Sequence, residues 1–280
     1  MPDQNEHLEL SDQTFRQLTG LIYSNSGLRF EDSAKYMIRR RLSPRVRELK
    51  LDSFEKYYYY LLYHANRESE LEIIFDLLTV NETYFFREER QLHAFSEEII
   101  PLMVEEKKNN RVLRIWSAGC STGEEPYTIA MLCCASGLLR DWEIDIFASD
   151  ISQRVIQTAR RGTFGQSSFR NMPEGLQERY FEKLADNRYR INDGIKQMVT
   201  FGKVNLFDEH KTGILNEVDL IFCRNVIIYF DVEAKKRVIE TFYRKLRKNG
   251  FLLLGHAESL LSLSTKFKLT HFKHDMVYQK

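Results

Sequence analysis

Apolar and polar positions follow two different rhythms along this chain. Through residue 80 the apolar positions recur three or four apart, as they do on one face of a helix. Ser11 opens the first such segment, where Phe15, Leu18, Leu21 and Ile22 form a stripe and Gly27 follows the end. A second segment, about 33–49, carries Tyr36, Ile38, Leu42, Val46 and Leu49, and Pro44 inside it predicts a kink or a break into two helices. A third starts at Asp52-Ser53 with Phe54, Tyr57, Tyr58, Leu61 and Leu62, and a fourth covers about 68–78. The consecutive tyrosines at 57–60 must circle the third helix, so some of them face solvent. Together these segments predict a small helical bundle over 1–80.

From Arg111 onward, short apolar runs alternate with helical patterns. VLRIWSAG, WEIDIFASD, EVDLIFCRNV and FLLLGHAES read as strands; EEPYTIAMLCCAS, ISQRVIQTARRG and VEAKKRVIETFYRKLRKNG read as helices, the last stopping at its glycine. KFKLTHFKHDMVYQK suits two short strands. Such alternation predicts an α/β domain over 111–280 with a mostly parallel sheet covered on both faces. The stretch from Gly162 to Gly202 breaks the rhythm: it is polar, carries Arg179, Arg188 and Arg190, and has turn signals at Asp186-Asn187 and Asp193-Gly194. It reads as a small inserted subdomain, about 163–200, with a hairpin around Asp193-Gly194. Between bundle and sheet, 81–110 reads as a linker: in NETYFFREER, Phe85 and Phe86 pack in an interdomain core while Asn81, Thr83 and Arg87 face a cleft.

Composition removes several function classes. A chain of 280 residues that is 43% hydrophobic and 12% aromatic is not a disordered one. The formal charge of +1 argues against wholesale nucleic-acid binding. Cys120, Cys133, Cys134 and Cys223 show no CxxC spacing, and the histidines form no HExxH or Cys/His cluster, so no metal site is expected. The polar start MPDQNEHLELSDQ is no signal peptide, and no apolar run approaches the length of a membrane span. The expectation is a soluble, cytoplasmic protein.

Three strand ends carry the chemistry. In RIWSAGCSTGEEPYTIA, Gly119 and Gly123 permit a tight turn where a ligand can approach the backbone before a helix N-terminus. This is not GxGxxG, and Glu124-Glu125 would repel a pyrophosphate. Acidic residues there suit a cationic ligand or one with an amino group, which favours S-adenosylmethionine over a dinucleotide; they also suit a plain helix start. Asp150, ending IFASD, can accept from both ribose hydroxyls of an adenosine-type ligand. It can equally cap the helix from Ile151, a role open to Ser152 as well. In IFCRNVIIYF the apolar strand ends at Arg224-Asn225, which makes Asn225 and Tyr229 site candidates, or Asn225 merely a turn residue. Val226 and Ile227 stand where enzymes that methylate amino groups often carry a Pro-Pro-aromatic motif.

NETYFFRE, WSAGCSTGEEPYTIA, FASDIS, VNLF, IFCRNVIIYF and LGHAES, in this order across nearly the whole chain, resemble the CheR family of chemotaxis-receptor methyltransferases. The resemblance implies a Rossmann-like, S-adenosylmethionine-dependent methyltransferase sheet domain, with an N-terminal all-α domain and a small inserted β-subdomain. The implied reaction is methyl transfer from S-adenosylmethionine to glutamate carboxylates on cytoplasmic helices of methyl-accepting receptors, leaving S-adenosylhomocysteine. Carried over by motif, Asn81, Thr83 and Arg87 touch the cofactor from the linker, and Gly119 belongs to its loop. Glu125 holds its amino-acid or adenosyl part and Asp150 its ribose; Asn205-Leu206 border the adenine and Asn225-Val226 the centre. Arg87 and Tyr229 are the candidate catalytic residues. A glutamate nucleophile, with an ordinary pKa of about 4.3, is already ionised at neutral pH, so the reaction needs orientation and not a general base.

Residues 29–50 hold eight basic side chains against three acidic ones, a local patch on a neutral chain. Arg39, Arg40, Arg41, Arg45 and Arg47 are the candidate substrate-binding residues, suited to a Glu-rich receptor helix or to phosphates. Family members that dock a receptor C-terminal pentapeptide carry a longer, glycine-containing loop between RYF and VNL than the one found here. Weak direct binding through the bundle, without that tether, is therefore the expectation. A nucleic-acid methyltransferase and a non-catalytic module binding S-adenosylmethionine or S-adenosylhomocysteine are the alternatives. Nothing in the sequence demands more than a monomer.

Overall fold

The computed structural model describes residues 8–213 and 215–280. By packing, the chain forms two units: the residues up to Val80 together with Tyr229–Asp231, and 81–228 together with 232–280.

The first unit is helical: α1 (Asp12–Ser26), α2 (Lys35–Glu48), α3 (Phe54–Tyr63) and α4 (Arg67–Leu78). Ser11 and Ser53 open α1 and α3 by accepting from free first-turn amides, Thr14 N at 3.1 Å and Lys56 N at 3.2 Å. The core collects Phe15, Leu18, Ile22, Ile38, Leu42, Val46, Phe54, Tyr57, Leu61 and Ile74. Pro44 does not divide α2: it lies on the exposed face, where water can serve the freed carbonyl, while Ile38, Leu42 and Val46 anchor the opposite stripe. Of the tyrosine run, Tyr57 is buried and Tyr59 is 58% exposed. Residues 229–231 lie on the α1–α2 connection: Arg29 N donates to Tyr229 O at 3.1 Å, Leu28 bridges Phe230, and the Tyr23 hydroxyl donates to Asp231 at 3.1 Å.

The second unit begins with α5 (Glu89–His93), which runs through a wide π-turn into α6 (Ile100–Glu106). Then follow β1 (Val112–Ala118), α7 (Glu124–Ala135), β2 (Glu143–Asp150) and α8 (Gln153–Arg161). The next group is β3 (Thr163–Phe164), α9 (Leu176–Tyr180), β4 (Phe181–Lys183), β5 (Tyr189–Ile191), α10 (Asp193–Lys196) and β6 (Val199–Lys203). The unit closes with α11 (Glu209–Gly213), β7 (Val218–Cys223), α12 (Val232–Lys245), β8 (Leu246–Leu254), β9 (Lys268–His271) and β10 (Met276–Gln279). Seven strands form one sheet in the order β6-β2-β1-β7-β8-β10-β9, parallel except where β10 runs against both its neighbours. Every residue of β7 is buried, as a central strand covered on both faces requires. Strand order reverses at β1, between β2 and β7, so a crevice opens beyond the carboxyl ends of these strands.

Three local expectations are corrected. Asp193-Gly194 forms no hairpin; Asn192-Asp193 starts the short α10, an acidic first turn being favourable at a helix N-terminus. The hairpin turns instead at Asp186-Asn187, where Asn187 takes φ 58° and Leu184 N donates to Arg188 O at 2.8 Å. Residues 199–203 leave the three-stranded subdomain sheet (β3-β5-β4) and pair with β2, because Val199 and Phe201 bury one face against it. The last helix stops at Lys245, short of Gly250, since Leu246 already pairs with Val218. Phe85 is fully buried against Phe164, Phe169 and Phe181 of the inserted subdomain, so its core belongs to the sheet unit.

Candidate active site

The loop from β1 to α7 is tied to β2 at one point. Gly119 N and Cys120 N both donate to Ser149 O, at 2.7 and 2.9 Å. Gly119 takes φ 87°, and a Cβ there would lie 2.3 Å from Val226 Cγ2, so only glycine lets the turn after β7 close against this loop. Ser121 completes the bend: its φ is 49°, and its hydroxyl donates to Asn81 O at 3.1 Å.

Asp150 organises the same loop from the end of β2. Its Oδ2 accepts Ser121 N at 2.9 Å and its Oδ1 accepts Ser152 N at 3.0 Å. Capping of α8 falls to Ser152, whose hydroxyl accepts Val155 N at 3.3 Å, and not to the Asp150 carboxylate. Val204 N donates to Asp150 O at 2.9 Å, so Asn205-Leu206 continue from the β2 end. Asn205 Oδ1 accepts Phe207 N at 3.0 Å, and Leu206 is buried.

The acids of α7 are sunk into the protein. Glu125 accepts the Ser117 hydroxyl at 2.7 Å and faces Arg224 at 3.5 Å. Burial pushes its pKa up, against the opposing pull of Arg224 and of the Ser117 bond. Glu124 accepts the hydroxyls of Thr122 at 2.6 Å and Ser168 at 2.9 Å, and burial likewise raises its pKa. Arg224 also reaches Glu88 at 3.3 Å and donates to Arg87 O. Asn225 follows in a left-handed conformation, φ 60°, its Nδ2 donating to Glu88 at 3.2 Å. Its Oδ1 is buried and accepts no hydrogen bond.

This arrangement fits S-adenosylmethionine. An unpartnered buried carbonyl oxygen needs a donor; Glu125 and Glu88 share the buried cation Arg224, and Asp150 adds a third carboxylate at the end of β2, leaving negative charge for a sulfonium and an ammonium. A pyrophosphate would be repelled. Among the described residues no group of three or more His, Cys, Asp or Glu is placed to hold a metal ion.

The bonds above link Asn81, Arg87, Gly119, Glu125, Asp150, Asn225 and Val226, and bring Asn205-Leu206 to the same strand end. Thr83 is half-buried beside them in sequence, with no side-chain bond to the group. Arg87 donates to Glu82 O at 2.8 Å and lies beside the Tyr84 ring. Tyr229, 37% exposed, packs with the helical unit. So do the five arginines, and they are not equivalent. Arg45 grips buried Glu70 at 2.6 Å, and Arg41 donates to Leu78 O at 3.0 Å at the end of α4, so both turn inward. Arg39 lies over the Tyr36 ring, while Arg40 and Arg47 are exposed. Glu88, Arg224 and Glu258 join the site without being candidates from sequence. An arginine directly after the apolar run Leu220–Cys223 is a visible signal for Arg224; single glutamates in loops carry none.

Residues 81–276 match the family described as "CheR methyltransferase, SAM binding domain", and residues 13–79 match its companion, "CheR methyltransferase, all-alpha domain". The chain belongs to the CheR methyltransferase family. It is 37% identical to chemotaxis protein methyltransferase 2 of Vibrio cholerae, over 97% of this chain and 94% of that one. It is 35% identical to the chemotaxis protein methyltransferase of Borreliella burgdorferi, over 91% of each chain, and 34% identical to that of Escherichia coli, over 94% and 90%. This CheR-family chain is an S-adenosylmethionine-dependent methyltransferase. No helix among its described residues is long and apolar enough to cross a membrane.

Proposed function

We propose that this methyltransferase acts on glutamate side chains of chemotaxis receptors in the cytoplasm, converting them to methyl esters. The observation that carries the reading is likeness to chemotaxis protein methyltransferases along both units, the helical one included. S-adenosylmethionine, when bound, supplies an electrophilic methyl group on a positively charged sulfur. Asp150 holds the ribose hydroxyls, Asn205-Leu206 border the adenine, and Asn225-Val226 line the centre beside Gly119. Glu125 serves the amino-acid or adenosyl part, and Asn81, Thr83 and Arg87 approach from the segment before α5.

The substrate glutamate is ionised at neutral pH, so no residue of this chain has to remove a proton. What remains is aiming a carboxylate oxygen along the methyl–sulfur axis. Arg87 and the Tyr229 hydroxyl are directional donors for that task. Arg39, Arg40 and Arg47 present positive charge to the acidic receptor helix, while Arg41 and Arg45 support the bundle from within. The chain works as a monomer, without a pentapeptide tether.

Transfer of radiolabelled methyl to a receptor cytoplasmic fragment tests this reading. Base-labile label, lost in Arg87→Ala and reduced in Tyr229→Phe, is the expected result. Base-stable label on protein or nucleic acid would overturn the glutamate assignment. Cofactor binding with no label on any receptor fragment would identify a sensor module instead.

A further inference from the structure

Four backbone amides converge on one carboxylate beside the site. Glu258, in the loop after β8, accepts Gly255 N at 2.7 Å and Asn225 N at 2.8 Å on Oε2. Its Oε1 accepts Val226 N at 2.9 Å and Ile228 N at 3.2 Å. An ionised carboxylate has about four acceptor positions, so this set uses all of them. Three of the donors belong to one turn, 225–228, and the carboxylate therefore fixes that turn's backbone, including the left-handed Asn225.

Glu88 fixes the side chain of the same asparagine. A carboxylate only accepts, so the amide nitrogen of Asn225 must face Glu88, as it does at 3.2 Å. Oδ1 is then turned the other way, where it is buried without a partner. Gly255 completes the clamp: a Cβ there would lie 2.8 Å from Asn225 N and 2.9 Å from Glu258 Oε2, leaving no room for a side chain. Backbone, amide orientation and packing all converge on the presentation of one carbonyl oxygen.

We propose that Glu258 is a positioning residue for the cofactor, holding the 225–228 turn so that Asn225 Oδ1 and Val226 meet S-adenosylmethionine, with Glu88 setting the orientation of the Asn225 amide. This rests on the reading of that turn as part of the cofactor site. Glutamine at 258 has nearly the same volume but one acceptor oxygen, and its NH2 group faces two backbone N–H donors. Glu258→Gln thus loosens the turn without opening a cavity. Gly255→Ala presses on the same contacts while keeping the charge.

The test is calorimetric titration of the full chain with S-adenosylmethionine, together with KM for cofactor and for receptor fragment, in Glu258→Gln, Gly255→Ala and Asn225→Ala. Weakening of cofactor binding by about 10–100-fold in the first two variants, with receptor KM unchanged, is the expected outcome. A merely structural role would lower kcat through a smaller folded fraction and leave cofactor KM untouched; that result overturns the proposal. So does unchanged cofactor affinity in Glu258→Gln alongside a loss in Asn225→Ala. Unchanged affinity in Asn225→Ala would instead sink the assignment of the turn to the cofactor. If Glu258→Gln does not fold, Gly255→Ala decides by the same split.

Discussion

Arg224 Nη1 stands 3.5 Å from Glu125 Oε2, both side chains being largely withdrawn from water. The pair joins the end of β7 to the first turn of α7, and the other arm of the guanidinium carries the link on to Glu88. One buried cation thus serves two carboxylates from different segments of the site. Arg224→Met would leave both acids buried and uncompensated, with an expected loss of about 3–5 kcal/mol in unfolding free energy. Adding Glu125→Gln should recover part of that loss. Denaturant unfolding of wild type, both single variants and the double variant measures the coupling; strict additivity would contradict it.

Asp150→Asn should weaken S-adenosylmethionine binding by about 10–100-fold, the scale of one charge-assisted hydrogen bond. Ser152 caps α8, so the helix start stays intact and the far-ultraviolet circular dichroism spectrum should be unchanged. Titration calorimetry gives the affinity; an unaltered value would remove Asp150 from the cofactor site.

Burial raises the Glu124 pKa above its unfolded value of 4.5. A group raised on folding favours the folded state below its unfolded pKa, and that contribution is lost as pH rises through the folded value. The hydroxyls of Thr122 and Ser168 can reorient to serve an amide as well as a carboxylate. Glu124→Gln should therefore melt higher than wild type at pH 8, with the advantage shrinking toward pH 4.5. Thermal melts across that range check the sign.

The arginines of α2 should divide into two classes. Arg45→Met strands Glu70, which is 2% exposed, and should cost about 3 kcal/mol. Arg39→Glu with Arg40→Glu should change stability by about 0.5 kcal/mol or less, yet raise the receptor KM several-fold. The wild-type KM should also climb with salt, and climb less in the double variant. Methylation kinetics at two ionic strengths test this; equal salt dependence would exclude the α2 face as a receptor contact.

Local pattern made much of the fold legible. Ser11 and Ser53 announce helix starts because a hydroxyl before an apolar-periodic run meets the first free amides, and the structure has both bonds. WSAG, FASD and FCRN each mark the polar end of a buried strand, and in a parallel sheet those ends share one edge. Asp193-Gly194 predicts a hairpin but starts a helix, because an Asp-Gly pair suits a helix start as well as a turn. The segment VTFGK of β6 is too short to carry a strand pattern, and only its pairing with β2 fixes which sheet it joins.

Where chain segments become helix or strand, and which residue types stand at the strand ends, is written in local sequence, since propensity, capping and periodicity act over a few neighbours. The sequence also carries the family's blocks in order. How individual side chains are spent follows from three-dimensional packing: Arg41 and Arg45 turn inward, Ser152 and not Asp150 caps α8, and Glu258 collects amides from a turn 30 or more residues earlier. Those outcomes depend on desolvation and on hydrogen-bond partners distant in sequence. A buried charge takes whichever compensating group the fold brings within about 3 Å, and no local pattern records that choice.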